Sequence, residues 1–365
     1  MNYNWQQKEW ANFTYHRSVV EPLAEEFVRL TAEMEAVLQQ LNSGRQQEEL
    51  VRFMIDEAAR TSEIEGEIIS REDLMSSIKN KLGLNPTPRQ VRDTRAKAIT
   101  NLLITVRSAY ADKLTESDMK NWHKLLFETS KTINAGNWRT GTEPMQVVSG
   151  AAGRETVHYE APPSVLIPQE MRQFVNWYNN YHAANNVTDA LIKTAVTHLY
   201  FESIHPFEDG NGRIGRAMAE KCLSQSLGFP VLLSLSSIIE KDKKTYYKEL
   251  KKGQISMEVS DWVVYFSRII LQAQREAIAT VRFSIKKKTF FDNHGNQLNE
   301  RQQKVVEKMF DAGYEGFKGG MSAKKYMSIV RTSKATATRD LQYLTETGAL
   351  ISHSGGRSVY YTLNI

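Results

Sequence analysis

The residues from His205 to Arg216, His-Pro-Phe-Glu-Asp-Gly-Asn-Gly-Arg-Ile-Gly-Arg, bring together the side chains that phosphorus chemistry needs. His205 is a base whose ordinary pKa near 6.5 lets it take a hydroxyl proton at neutral pH. Asp209 offers hard carboxylate oxygens suited to Mg²⁺, which commonly arrives with phosphates. Gly210 and Gly212 free the backbone, so that N–H groups can turn toward an anion. Arg213 and Arg216 are three residues apart on one helical turn, and both can present forked donors to that anion. A base, a metal carboxylate, an anion loop and two guanidinium groups in one short stretch point to transfer of a phosphorus-centred group.

Such a loop needs helices on both sides. Pro206 forces His205 out of helical geometry, so one helix ends near Ile204 and the next begins near Gly212, lending its positive N-terminus to the anion. Upstream, Leu50, Met54, Ala58 and Thr61 mark one helical face. Ser70-Arg71-Glu72-Asp73 opens another helix, which Gly83, Pro86 and Pro88 close. Further helices are expected near 90–110, 116–128, 165–182, 188–204, 212–227, 242–251 and 258–280. Two β-prone runs, 145–148 and 156–159, flank Ser149-Gly150-Ala151-Ala152-Gly153-Arg154 and read as a hairpin with a mobile tip. Lys286-Lys287-Lys288 and the following Asp292-Asn293-His294-Gly295-Asn296 read as a boundary.

Composition sets the wider frame. The chain has 365 residues, 41% hydrophobic and 24% charged, enough for a sizeable core and for two or three domains. No apolar run approaches a membrane span, and the first residues lack a signal-peptide pattern. The lone cysteine, Cys222, can form no disulfide within the chain and no cysteine zinc cage, so a cytoplasmic location is expected, without a membrane partner. The net charge of +5 is uneven: residues 1–85 carry −6 and the remainder +11. The basic part should meet phosphates or nucleic acid.

His205 to Arg216 resembles the signature of the Fic domain, HxFx[D/E]GNGRxxR, at each specified position. The resemblance implies a mainly α fold: a Fic-type helical core with a β-hairpin flap, over about residues 95–285. It also implies AMP transfer from ATP to a Tyr, Thr or Ser hydroxyl of a target protein, with release of pyrophosphate. His205 would be the general base and Asp209 the Mg²⁺ ligand. Phe207 would anchor the loop, and Gly210, Asn211 and Gly212 would surround the α- and β-phosphates. Arg213 and Arg216 would hold the distal phosphates, and the hairpin would align an extended target segment.

A second match, Thr61-Ser62-Glu63-Ile64-Glu65-Gly66, fits [S/T]xxxE[G/N], which Fic proteins use as an autoinhibitory helix. Thr61 and Glu65 lie one turn apart, and a carboxylate inserted beside the loop would pair with Arg216 in place of a γ-phosphate. The same carboxylate could position a water and run the reverse reaction, removing AMP from a modified target. Tyr246 and Tyr247 are candidates to border the adenine ring, with core packing the competing assignment. His198 is expected as a core histidine and Cys222 as packing. His158 falls in the hairpin, either touching a target or serving as a strand residue. Gly136, Trp138 and Arg139 resemble the family's Gly-x-x-Arg turn, with a structural role. Self-modification and a homodimer are also expected possibilities.

The last 70 residues read as helices at 300–312, 322–330 and 333–346 and two strands around Ser354-Gly355-Gly356-Arg357, the order of a winged helix-turn-helix. The helix from Ser333 would enter a DNA groove, with Arg357 at a wing tip on a phosphate; a protein-interaction module has the same element order. The expected domains are 1–90, a helical region carrying the inhibitory helix; 91–285, the catalytic core; and 296–365, the winged helix. Two functions compete: an autoinhibited adenylyltransferase, and a DNA-binding regulator whose Fic core senses nucleotide.

Overall fold

A computed structural model describes residues 2–149, 156–181, 186–355 and 358–365. The expected hairpin tip beyond Ser149, the His158 side chain and the expected wing tip at Gly356 and Arg357 lie outside the described residues and side chains. The structure falls into two compact units, Met1–Glu33 with Ser43–Arg275, and Met34–Asn42 with Glu276–Ile365.

In the first unit, α1 (Glu21–Leu38) begins and α2 (Ser43–Ile64) follows, with its Met54, Ala58 and Thr61 face buried. The cap expected at Ser70 is made, and a second stands at Thr115. Ser70 accepts from the Asp73 N–H ahead of α3 (Arg71–Lys81), and Thr115 and Asp118 cap each other's backbone ahead of α5 (Glu116–Phe127). Between them α4 (Thr94–Ser108) packs on the core. Strands β1 (Gln146–Ser149) and β2 (Thr156–Glu160) pair antiparallel, with a register shift between Val147 and Val148. The Tyr159 hydroxyl donates to the Ser203 carbonyl at 2.6 Å, which ties the hairpin to the chain just before His205.

After α6 (Ile167–Asn180), α7 (Val187–Ile204) is buried along its whole length from Thr188 onward, so it has no polar face. It packs on α8 (Asn211–Leu227), and Phe201, Ile204, Phe207, Ile214 and Met218 share one core with Ile99 and Trp122. The short α9 (Leu235–Lys241), unforeseen in sequence, precedes α10 (Lys243–Gly253).

The helix expected at 258–280 is longer: α11 (Ser260–His294) runs straight through the lysine triplet. Lysine is a good helix former, and nothing from 260 to 294 is Gly or Pro. Beyond it, α12 (Glu300–Phe310), α13 (Ala323–Val330) and α14 (Lys334–Glu346) precede β3 (Leu350–Gly355) and β4 (Ser358–Leu363). Their own core holds Val306, Phe310, Tyr326, Leu341 and Leu344, with Phe283 and Phe290 of α11. No described helix is long and apolar enough to cross a membrane.

Candidate active site

The segment between α7 and α8 is built to hold His205 still. His205 caps α7 in the left-handed region, with φ +50°, a conformation that non-glycine residues adopt rarely. Its N–H donates to the Phe201 carbonyl at 2.9 Å. Arg139 fixes the other side: its Nε donates to the His205 carbonyl at 2.8 Å and its N–H to the Pro206 carbonyl at 2.9 Å. Nη1 reaches Ser164 Oγ at 2.8 Å, and Nη2 reaches the Pro162 carbonyl. The structural role expected of Arg139 is therefore directed at the candidate base itself.

Asn211 closes the loop on itself. Its Oδ1 accepts from the Phe207 N–H and its Nδ2 donates to the Phe207 carbonyl, both at 2.9 Å. Gly210 takes φ +79°, and a Cβ there would meet the Phe127 ring at 2.6 Å, so only glycine fits. The first intrahelical bond of α8 comes from Ile214 to the Gly210 carbonyl, so the N–H groups of Asn211, Gly212 and Arg213 precede the ladder. Such N–H groups at a helix N-terminus can take an anion. The Gly210 N–H donates at 2.5 Å to Asp209 Oδ1, which also lies 3.5 Å from Arg213 Nη2.

Two carboxylates from the end of α2 cover this site. Glu65 Oε1 accepts from Arg216 Nη2 at 2.7 Å, and a Cβ on Gly212 would strike the same oxygen at 2.5 Å. The carboxylate therefore lies on the α8 N-terminus. Arg216, 1% exposed, also donates from Nε to Thr61 Oγ1 at 2.9 Å and from Nη2 to the Thr61 carbonyl at 3.0 Å. Thr61 and Glu65, matched by spacing, thus grip one guanidinium. Burial pushes the Glu65 carboxyl up, but Arg216, with Arg213 and Lys243, outweighs it and holds the group below its ordinary value. Sequence reasoning missed Glu67. Gly66, at φ +83°, turns the chain so that Glu67 Oε2 accepts from Arg213 Nη1 at 3.1 Å.

Two further residues at the site went unnoticed in sequence. Glu202, one turn before His205, is buried with Oε2 3.8 Å from His205 Nδ1. Burial, against the pull of Arg216, pushes its carboxyl up to about 8. His123 of α5 stacks on Phe207 at 4.1 Å and 3° between planes, and its Nδ1 accepts from the Gly136 N–H at 2.8 Å. Burial lowers the His205 imidazole to about 4, aided by the charge of Arg139, so the ring is neutral at physiological pH.

The other candidates separate. Tyr246 is buried, and its hydroxyl meets His198 Nε2 at 2.7 Å, which places His198 in the core as expected. Tyr247 is 40% exposed and stands edge-on to Tyr246 at 5.1 Å. Cys222 is buried beside Thr197 Oγ1, at 3.4 Å.

Residues 113–223 match the model of the Fic/DOC family, and residues 3–84 match a domain of unknown function, DUF4172. A Fido domain-containing protein of Dictyostelium discoideum is 33% identical over 108 residues, 30% of this chain and 71% of that protein. The chain belongs to the Fic/DOC family. This Fic protein is also similar to a probable protein adenylyltransferase of Aquifex aeolicus, 29% identical over 96 residues. That match spans 26% of this chain and only 27% of the Aquifex protein. Its fold is similar to the crystal structure of a Fic family protein from Desulfovibrio desulfuricans G20, with a TM-score of 0.53 and 20% identity. That likeness covers 93% of this chain and 95% of the other.

Proposed function

We propose that this Fic protein is an adenylyltransferase that moves AMP from ATP to a Tyr, Thr or Ser hydroxyl of a target protein, held inactive in cis by Glu65. The observation that carries the reading is the Glu65 carboxylate on the α8 N-terminus, paired with Arg216. An intramolecular anion there marks a site that stabilises anions and is blocked by its own chain. The Aquifex relative, named a probable protein adenylyltransferase, supports the reaction class.

With Glu65 displaced, Arg213 and Arg216 hold the distal phosphates of ATP, and the loop turn at Gly210 sets the N–H groups of Asn211 and Gly212 toward the α- and β-phosphates. Neutral His205 takes the proton of the target hydroxyl. The hydroxyl oxygen forms a bond to the α-phosphorus, the bond from that phosphorus to the bridging oxygen breaks, and pyrophosphate leaves with the electron pair. Asp209 presents a side chain 53% exposed at the loop, a hard donor that fits Mg²⁺; when bound, the ion supplies neutralising charge to the phosphates. Tyr247 borders the base and Tyr246 backs it from the core. The free edge of β1 offers strand pairing to an extended target segment. The division into an inhibitory region at 1–90, a catalytic core at 91–285 and a winged helix at 296–365 belongs to the same reading. A purely nucleotide-sensing core would leave a held, neutral His205 without a task.

The test is the fate of the label. With Glu65→Gly protein and ATP labelled on either the α- or the γ-phosphate, the α-label enters protein and the γ-label does not. Incorporation of γ-label would make the chain a kinase and refute the reading.

A further inference from the structure

The second unit contains a surface that the transfer reaction does not use. Between Glu315 and Glu346 the sequence holds Lys318, Lys324, Lys325, Arg331, Lys334 and Arg339, and a single acid, Asp340. The fold turns that acid inward. Asp340 is buried and accepts from the Tyr326 hydroxyl at 2.8 Å, from Arg301 Nε at 3.3 Å and from Gln302 Nε2 at 3.3 Å. Lys325 is used internally, donating to the Lys318 and Gly320 carbonyls. Lys324, Arg331, Lys334 and Arg339 are exposed, and none pairs with a carboxylate among the described residues. An outward face of unpaired cations, with its acid consumed inside, is complementary to a polyanion.

The helices give that face a shape. α13 and α14 are joined by the turn Arg331–Ser333, with Arg331 in the left-handed region at φ +50°. α14 buries Ala337, Asp340, Leu341 and Leu344, which leaves Ala335, Thr338, Arg339 and Gln342 on its outer side. These sit at i, i+3, i+4 and i+7, one stripe along the helix. Their chemistry is that of base-edge readers: Arg pairs with guanine, Gln with adenine, and Ala or the Thr methyl packs on the thymine methyl. A membrane surface or an acidic peptide would call on the cations but not on this stripe.

We propose that α14 enters the major groove of duplex DNA, with Arg339 and Gln342 reading base edges and Lys324, Arg331 and Lys334 on flanking phosphates. Duplex RNA is disfavoured because its major groove is too deep and narrow for a helix. The inference is independent of AMP transfer.

The experiment uses the full chain and a library of duplex DNA about two turns long with a randomised centre, selected over rounds of binding and then titrated from about 50 to 200 mM salt. The expected result is an enriched sequence whose affinity falls steeply with salt. Arg339→Ala should weaken the enriched duplex about tenfold or more and relax the preference at one base position. Lys334→Ala should weaken all duplexes alike and lower the salt slope by about one. Both residues are exposed, and unchanged circular dichroism would show that the variants fold. Lys308→Ala, on α12, should bind as the parent does. No binding at the lowest salt, no enriched sequence, equal binding to single-stranded DNA or RNA, or affinity indifferent to both variants would overturn the proposal.

Discussion

At the scale of single residues, the site is a contest for two arginines. Glu65 holds Arg216 and Glu67 holds Arg213, and in the proposed reaction a nucleotide would displace both carboxylates. The Glu65 carboxyl is held below its ordinary value, so its pairing stabilises the fold at pH above about 4.5 and is lost as pH falls through the lower folded value. Glu65→Gln should cost about 1–3 kcal/mol at pH 7, because the buried Arg216 cation loses its counter-charge and the neutral amide oxygen gives only an ordinary hydrogen bond. Urea melts of both proteins should show that gap closing as the pH is taken into the acid range below about 4.5; a gap constant with pH would rule out an ion pair as its origin. Glu67→Ala in the Glu65→Gly background should lower the KM for ATP by about two- to fivefold, the modest effect of a partly exposed pair. His205 takes up its proton at a lower pH than an ordinary histidine. Burial favours its neutral form, so the acid limb of kcat/KM in the released protein should fall near pH 4. A limb near 6.5 would mean that the ring is solvated.

At the scale of elements, the question is what was legible. The loop from His205 to Arg216 could be read because its residues are contiguous and each has a task set by its chemistry. Glu65 could be read because Thr61 and Glu65 share a helical face. Glu67, His123, Glu202 and the full reach of Arg139 could not. Each acts on the loop from a different place in the sequence, and nothing in residue spacing records a stack on Phe207 or a bond to a carbonyl. The end of α11 was misplaced because a run of lysines looks like a boundary, whereas the phenylalanines at 283 and 290 continue the buried face. α9 escaped because seven residues carry too little periodicity, yet it has a clear function in packing. Glu57 of α2 accepts from Ser234 Oγ at 2.7 Å, from the Ser236 N–H at 3.0 Å and from the Ser236 hydroxyl, which anchors the helix that leads into Glu65. Ser236→Ala should destabilise the protein by about 1–3 kcal/mol in denaturant melts, by removing one donor from a buried carboxylate.

At the scale of the whole molecule, the uneven charge acquires a structure. The acidic N-terminal stretch supplies the carboxylates that cover the arginines, and the basic remainder includes both the phosphate loop and the cationic face of α13 and α14. In the proposed function, one carboxylate withholds a competent site from ATP. The most direct measurement of that inhibition compares incorporation of α-labelled AMP into protein by the wild type, Glu65→Gly and Glu65→Gly/His205→Ala, with ATP and Mg²⁺ equal throughout. Label should enter protein, this chain included, only with Glu65→Gly, at least about tenfold above the other two. Equal labelling by the wild type and Glu65→Gly would contradict the inhibition, and labelling that survives His205→Ala would contradict the mechanism.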